Sequence, residues 1–306
     1  MIHLHGHSHY SLLEATGNPG KIVEKAKELG MSAIAVTDYH GMYGSIEFYE
    51  NAEKNGIKPI LGTELFLSLD LQNKHEKTTP QNIVLIAKNI DGYQNLLKLV
   101  SFAHTTGYNQ KPRIDFETLQ TFSKGLIGIV GGENSFLGSM ILSGEEDKKI
   151  EDITKKLNEI FEGEVYYEIM AQDETKLKET KKINQKLIEI ASSNGTQLII
   201  GNDYSYPEKT DKKAYEVLLC IKENQKYTKS FIQGDYHIKS EEEIRKIMKK
   251  NNYDEESINK MIENNHKVSE KIDLQLPLGQ ILFPKYQSDE DIKKLYEIHK
   301  NDLITN

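Results

Sequence analysis

Ile2-His3-Leu4-His5-Gly6-His7-Ser8-His9-Tyr10-Ser11 sets two imidazoles, His5 and His7, one residue apart at the end of an apolar strand start. Alternate side chains of a strand share a face, so His5 and His7 project together while Leu4 and Gly6 face the other way. Neutral imidazole suits zinc, manganese or iron, and such a pair is half of a metal or phosphate site that acidic residues from elsewhere can complete. The competing reading is a histidine-rich terminus without a role, such as the remnant of a tag. Against it, the alternation with Leu4 and the continuation Tyr10-Ser11-Leu12-Leu13 read as folded protein.

Outward from this strand, short β-rich apolar runs alternate with helical patterns. Strand signals fall at 2–5, 33–36, 58–61, 64–69, 83–87, 126–130, 165–169 and 197–201, and helical ones at 19–29, 43–54, 93–103, 135–142, 147–161 and 174–193. This βαβα rhythm indicates an α/β fold, a parallel sheet or barrel with both faces covered by helices. Polar residues cluster at the strand ends: His5 and His7, then Thr37-Asp38-Tyr39-His40, then Glu64 after Gly62, then Asn202-Asp203 after Ile199-Ile200-Gly201. The C-terminal strand ends of βα barrels build the active site, so these four clusters are expected to converge. Beyond about residue 205 helices dominate, at 212–222, 240–250, 255–271 and 289–303, and Ser240 followed by Glu243 reads as a capping box. Residues 74–79 form a polar loop, Pro277 and Pro284 punctuate the stretch before the last helix, and there is no internal repeat or long low-complexity linker.

A chain of 306 residues can bury one large core. No apolar run approaches the ~20 residues of a membrane span. No basic-then-apolar leader precedes the first strand, so the expectation is a soluble, cytoplasmic protein without membrane contact. The single cysteine, Cys220, excludes an internal disulfide, and Leu218, Leu219 and Ile221 around it mark a core thiol. Net charge of −8 excludes a broad positive field, so any contact with DNA is local or delivered by a partner. Lys111-Pro112-Arg113 is one short basic loop, which can reach a phosphate but is poor support for nucleic-acid binding. His75, His237, His266 and His299 read as ordinary surface residues, and no glycine-rich nucleotide loop or Gly-x-Ser-x-Gly elbow is present.

Histidines and acids at strand ends fit a multinuclear hydrolytic site, in which metals roughly 3.5–4 Å apart stabilise the attacking and leaving oxygens of a phosphoester. His5, His7, Glu64 and Asp203 are the ligand candidates. Glu64 reads equally well as a solvated strand edge, and a helix cap or Asx turn competes at Asp203. Asp38 is a ligand, a turn residue or a partner that orients a ligand, and the orienting role is favoured.

The chain resembles the polymerase and histidinol phosphatase (PHP) domain at the N-terminus of bacterial replicative DNA polymerase III alpha subunits. The resemblance is carried by His3-Leu4-His5-Gly6-His7-Ser8-His9-Tyr10-Ser11-Leu12-Leu13, Ala26-Lys27-Glu28-Leu29-Gly30-Met31, Thr37-Asp38 and Met42-Tyr43-Gly44-Ser45-Ile46-Glu47-Phe48-Tyr49. It continues through Gly56-Ile57-Lys58-Pro59-Ile60-Leu61-Gly62-Thr63-Glu64, Ala87-Lys88-Asn89, Gly92-Tyr93-Gln94-Asn95-Leu96, Lys111-Pro112-Arg113-Ile114-Asp115, Gly125-Leu126-Ile127, Asn202-Asp203 and Leu218-Leu219-Cys220-Ile221. It implies a distorted seven-stranded βα barrel, TIM-barrel-like, with up to three metals at the strand ends and a helical C-terminal extension. The implied division is a barrel core at 1–205, a helical remainder at 206–285, and a terminal helix at 286–306 that starts a linker toward polymerase regions. Palm and fingers follow this domain in the family, which leaves an excised domain or a separate polypeptide as the two expectations.

The implied metal ligands are His5, His7, Glu14 in place of an aspartate, Glu64 and Asp203, with His40 as a further candidate. Four positions depart from the family pattern: Tyr39 and Asn82 stand for histidines, Gly132 for a cysteine and Ser205 for a histidine. Such side chains are weak or absent ligands, so the resemblance implies at most one or two divalent ions, zinc, manganese or magnesium, or none. The function implied first is a structural or partner-docking module in DNA replication, joined to the remaining polymerase domains or a separate polymerase chain and docking a proofreading exonuclease. The alternative is an active metal-dependent phosphoesterase, a 3′–5′ exonuclease or pyrophosphatase-like enzyme, with a stand-alone histidinol-phosphate phosphatase behind both.

Overall fold

The computed structural model describes residues 1–72 and 81–279. The polar loop at 74–79, His75, Pro284, the helix at 289–303, His299 and the segment 286–306 lie outside the described residues. The chain up to Leu274 forms one compact unit.

Asn18 caps the first helix, α1 (Pro19–Glu28), by accepting the Gly20 amide at 2.9 Å, and Pro19 stands at the first position, where its missing N–H costs nothing. Strand β1 (Ala33–Tyr39) follows, then α2 (Ser45–Asn55), β2 (Lys58–Ser68), β3 (Asn82–Ala87), α3 (Ile90–Thr105), β4 (Arg113–Asp115) and α4 (Phe116–Thr121). Next come β5 (Leu126–Gly131), α5 (Phe136–Ser143), α6 (Asp147–Ile160), β6 (Val165–Met170), α7 (Lys178–Asn194) and β7 (Gln197–Gly201). Helices α8 (Lys212–Lys222), α9 (Glu241–Lys250) and α10 (Glu255–Glu270) complete the described chain, and Ser240 with Glu243 forms the capping box expected at α9. Cys220 is buried on α8, and no described helix is long and apolar enough to cross a membrane.

The seven strands make one curled sheet in the order β1-β2-β3-β5-β6-β7, with β4 beside the far end of β2. Strands β1, β3, β5 and β6 are buried along nearly their whole length, which is why they read as continuous apolar runs rather than alternating ones. Each fully buried Leu, Ile or Val there contributes roughly 1.5–3 kcal/mol to the core.

Several details depart from the sequence reading. The sheet is not all parallel, because β3 runs antiparallel to both β2 and β5. The run 58–61 and the run 64–69 are a single strand, β2, which continues straight through Gly62. The short β4 and α4 have no clear periodic signal, and Arg113 within β4 is buried, donating to the carbonyls of Leu71 and Gly107 instead of facing a phosphate. The helix at 174–193 begins only at Lys178, since Asp173 turns the chain by accepting from Thr175. His237 is 4% exposed and is no surface residue.

The opening segment is not a continuous strand. It makes isolated parallel bridges, His3 with Ile34 and Gly6 with Tyr204. The amides of Ala35 and Thr37 donate to His3 and Gly6 carbonyls at 2.9 and 2.8 Å, and the His7 amide donates to the Tyr204 carbonyl at 2.7 Å. The segment therefore joins the two edges of the curled sheet, β1 on one side and the chain just beyond β7 on the other. Lower in the same seam Asn265 of α10 acts as a clasp: its Nδ2 donates to the carbonyls of Ile2 and Ile200 at 3.0 and 2.9 Å, and its Oδ1 accepts the Ile200 amide. Gly6 must lack a side chain here, because a Cβ would fall 2.1 Å from the Tyr204 ring.

Candidate metal centre

Four elements meet at the seam, and Glu64, expected at a strand end, lies within β2 instead because that strand runs on to Ser68. The opening segment carries His5 and His7, β2 carries Glu64, the turn after β7 carries Asp203, and β6 carries Glu168. Asp203 holds a left-handed φ of 45°, a conformation that aspartate tolerates better than most residues and that turns its carboxylate back toward the histidines. His5 Nε2 lies 2.9 Å from Glu64 Oε2, and His7 Nε2 lies 3.2 Å from the same oxygen and 3.1 Å from Asp203 Oδ1. His5, His7 and Glu64 each offer a ligand atom within 4.8 Å of the others, and all three are buried.

Glu168 is the residue that sequence reading missed. Its Oε2 lies 2.8 Å from His5 Nδ1, a contact that favours a proton on Nδ1 and leaves Nε2 as the atom directed into the cluster, available to a cation once its own proton is lost. The carboxylate is 1% exposed and fits only because residue 201 is glycine, where a Cβ would meet Glu168 Cγ at 2.2 Å. The available signal was a single acid in the middle of the apolar run Val165-Tyr166-Tyr167-Glu168-Ile169-Met170, since an unpaired buried carboxylate there would cost several kcal/mol.

Burial disfavours the charged form of both imidazoles, yet the surrounding carboxylates outweigh it. His5 is raised well above its usual range by Glu168, Asp203 and Glu64, and His7 is pushed up to about 9 by Asp203 and Glu64. The same attraction, against the opposing effect of burial, holds Glu64 and Asp203 below the ordinary carboxylate range. Burial, reinforced by the charges of Glu64 and Asp203, pushes the Tyr39 hydroxyl well up, so it stays neutral.

Asp38 sits one step back. Its Oδ1 accepts the Ser8 amide and the Ser11 hydroxyl, and its Oδ2 accepts the Ser8 hydroxyl, all at 2.7 Å, which pins the loop directly after His7. Tyr39 stacks flat on His7, rings 4.0 Å apart and 8° from parallel. Asn82 donates its Nδ2 to Glu64 Oε1 at 2.8 Å. Gly132, Ser205 and Glu14 line the same cavity, where Glu14 is engaged by Lys222 at the rim. His40 is outside the cavity lining: its carbonyl bonds His104 Nε2, and burial lowers its imidazole to about 4. The structure thus gathers His5, His7, Glu64 and Asp203 with Glu168, keeps Glu14 at the edge and holds His40 apart.

The donor set fits a divalent cation. Two buried atoms facing each other, His7 Nε2 and Asp203 Oδ1, make no hydrogen bond of good geometry, and imidazole with carboxylate is the chemistry that zinc or manganese takes.

A curled α/β sheet with histidines and acids gathered at its seam defines the class, and the sequence agrees: residues 3–172 match the PHP domain, and the chain belongs to that family. More particularly, it is homologous to the N-terminal region of DNA polymerase III alpha subunits. The alpha subunit of Borreliella burgdorferi is 31% identical over 307 residues, 97% of this chain and 26% of the relative, and that of Treponema pallidum is 32% identical, over 94% of this chain and 24% of the relative. The chain spans about a quarter of the length of these curated relatives. A two-domain protein from Bacteroides vulgatus, described as containing a predicted PHP-like metal-dependent phosphoesterase, is 14% identical with a TM-score of 0.45, over 81% of this chain and 62% of that one. At that distance the likeness says nothing of the site.

Proposed function

We propose that His5, His7, Glu64 and Asp203 hold a single divalent cation, and that the domain serves a larger replicative polymerase chiefly as a structural and partner-docking module. The observation that carries this reading is Asn82: its amide stands where the family pattern has a histidine and holds Glu64 Oε1, which leaves Oε2 as the oxygen facing both imidazoles. A second ion roughly 3.5–4 Å away would need further anionic or imidazole donors. The facing positions Tyr39, Gly132 and Ser205 provide neither, and the other carboxylates of the lining are engaged, Glu14 by Lys222 and Glu133 by the Thr180 hydroxyl. The mixed nitrogen and oxygen set favours zinc or manganese over magnesium, which prefers oxygen alone. When bound, the cation would supply positive charge that can neutralise a phosphoryl oxygen. The chain itself binds through two imidazoles, orients His5 through Glu168 and shields one side of His7 with Tyr39.

On this reading residues 1–205 are the barrel core, 206–285 its helical remainder, and 286–306 lead toward polymerase regions. The work is cytoplasmic, and the partners are those regions together with a separate proofreading exonuclease. A second reading, phosphoester hydrolysis on a single cation, is favoured by the cavity of about 170 Å³ into which the cluster opens.

One pair of measurements decides between them: metal content of the purified chain, and cleavage of end-labelled single-stranded DNA and of a chromogenic phosphate ester. One equivalent of tightly held zinc or manganese without cleavage is expected. Cleavage abolished by His7→Ala would establish the second reading, and two or more equivalents would overturn the single-cation site.

A further inference from the structure

Behind the metal centre lies a second cavity, of about 260 Å³, between the turn after β6 and helix α9. Gln172 lines both cavities; its Nε2 donates to the Asp235 carbonyl at 2.8 Å and its Oε1 accepts the Asp235 amide at 3.1 Å, which fixes it against the second one. The second cavity is lined by five lysines in a protein whose net charge is −8.

The acids of this lining are already engaged. Asp173 pairs with Lys250 at 2.7 Å, Asp235 with Lys212 at 3.1 Å, and Glu243 with His237 while also closing the cap of α9. Lys176, Lys209 and Lys246, all exposed, form no ion pair with a described residue. Lys239 is different in kind: it is 1% exposed, and its ammonium donates to two neutral oxygens, Asn202 Oδ1 at 2.6 Å and the Asp235 carbonyl, with no described carboxylate in ion-pair contact. Buried charges are ordinarily paired, and without a carboxylate in contact burial lowers the Lys239 ammonium to about 7, so an anion placed beside it would restore its charged form. His237, 4% exposed, adds a buried Nδ1 without a hydrogen-bond partner in the same lining.

We propose that this cavity is a phosphate-binding site, in which Lys239 meets a phosphate group and Lys176, Lys209 and Lys246 gather it at the rim. A phosphate brings what the lining lacks, a compact anion with several acceptor oxygens for ammonium donors. The phosphate can belong to a nucleotide or to the backbone of a DNA strand. The proposal is independent of any cation in the neighbouring centre.

The test is isothermal titration of the full chain in metal-free buffer with inorganic phosphate, with deoxyadenosine monophosphate and with an eight-nucleotide single-stranded DNA. Two variants accompany it: the rim double variant Lys209→Ala/Lys246→Ala, on exposed positions, and Lys239→Met. Phosphate binding that weakens at least tenfold in both, with zinc binding unchanged in the rim variant, is the expected result. Oligonucleotide binding much tighter than nucleotide binding, and falling steeply with salt, assigns the phosphate to DNA; equal affinities assign it to a nucleotide. Absence of binding by all three probes, or a rim variant that binds as the parent does, would overturn the proposal.

Discussion

The two cavities that meet at Gln172 are built from opposite charges by opposite means. On one side a short stretch, His5 to His7, supplies the imidazoles, and three carboxylates close on it. On the other, lysines from the turn after β6, the chain before α8 and helix α9 converge without any local pattern. The overall negative charge of the chain predicts neither. Local concentration of one sign, held by a rigid sheet edge, decides which ion each cavity attracts.

Removing a ligand is the strongest way to break the contrast. A protein site that binds a cation with roughly 10–16 kcal/mol through four ligands gives each about 3 kcal/mol, so His7→Ala should weaken zinc at least about 100-fold by competition titration. Phosphate binding should not change.

Next comes pH. His7, pushed up to about 9, and His5, raised well above its usual range by its three carboxylates, both favour the protonated form at pH 7 in the metal-free protein. A cation must displace these protons, so apparent affinity should rise at least about tenfold from pH 7 to pH 8, with proton release on binding read in buffers of different ionisation enthalpy. The same groups set the metal-free stability. Their folded values lie above the unfolded one, so the stabilisation is complete below about 6.5 and fades as pH climbs toward 9. Melting of the metal-free protein should fall across that window, and an unchanged transition would refute the assignment.

A smaller effect is expected from Glu168→Gln, which keeps the volume in the Gly201 cradle but accepts the His5 proton less well. Zinc affinity should drop about 10–100-fold, and in nitrogen NMR titration of the metal-free protein His5 should lose its second proton at lower pH than in the parent. Smallest is Gln172→Ala, which removes the side chain that lines both cavities. Loss of its hydrogen bonds to Asp235 should cost about 1–3 kcal/mol of stability, read from denaturant unfolding, with little change at His5 or His7.

What the sequence makes legible follows the same contrast. His5-Gly6-His7 and Asp203 after β7 announce themselves because ligand spacing and strand ends are local properties, whereas Glu64 was expected at a strand end and lies within β2. The βαβα rhythm is local too, and most helices begin and end within a few residues of their caps. The antiparallel course of β3 is not local, since apolar runs look alike whichever way the strand points. His40 illustrates a different limit: one residue along the strand end turns the side chain out of the cavity, so proximity in sequence to Tyr39 did not bring it to the site. Glu168 was readable as a lone acid in an apolar strand but not as the partner of His5, 163 residues away. The lysine cavity has no signature at all before the chain folds.

The Asn265 clasp gives the molecule an order of assembly in time. It fastens residues 263 positions apart, so the seam on which both histidines stand, bridged at Tyr204, lacks this second fastening until α10 has been made. At roughly 5–20 residues per second the opening segment waits about 13 to 50 s on the ribosome before its lock arrives. The first ligands synthesised are therefore among the last to be held in place, and a cation that reaches them early meets a flexible chain rather than a finished site.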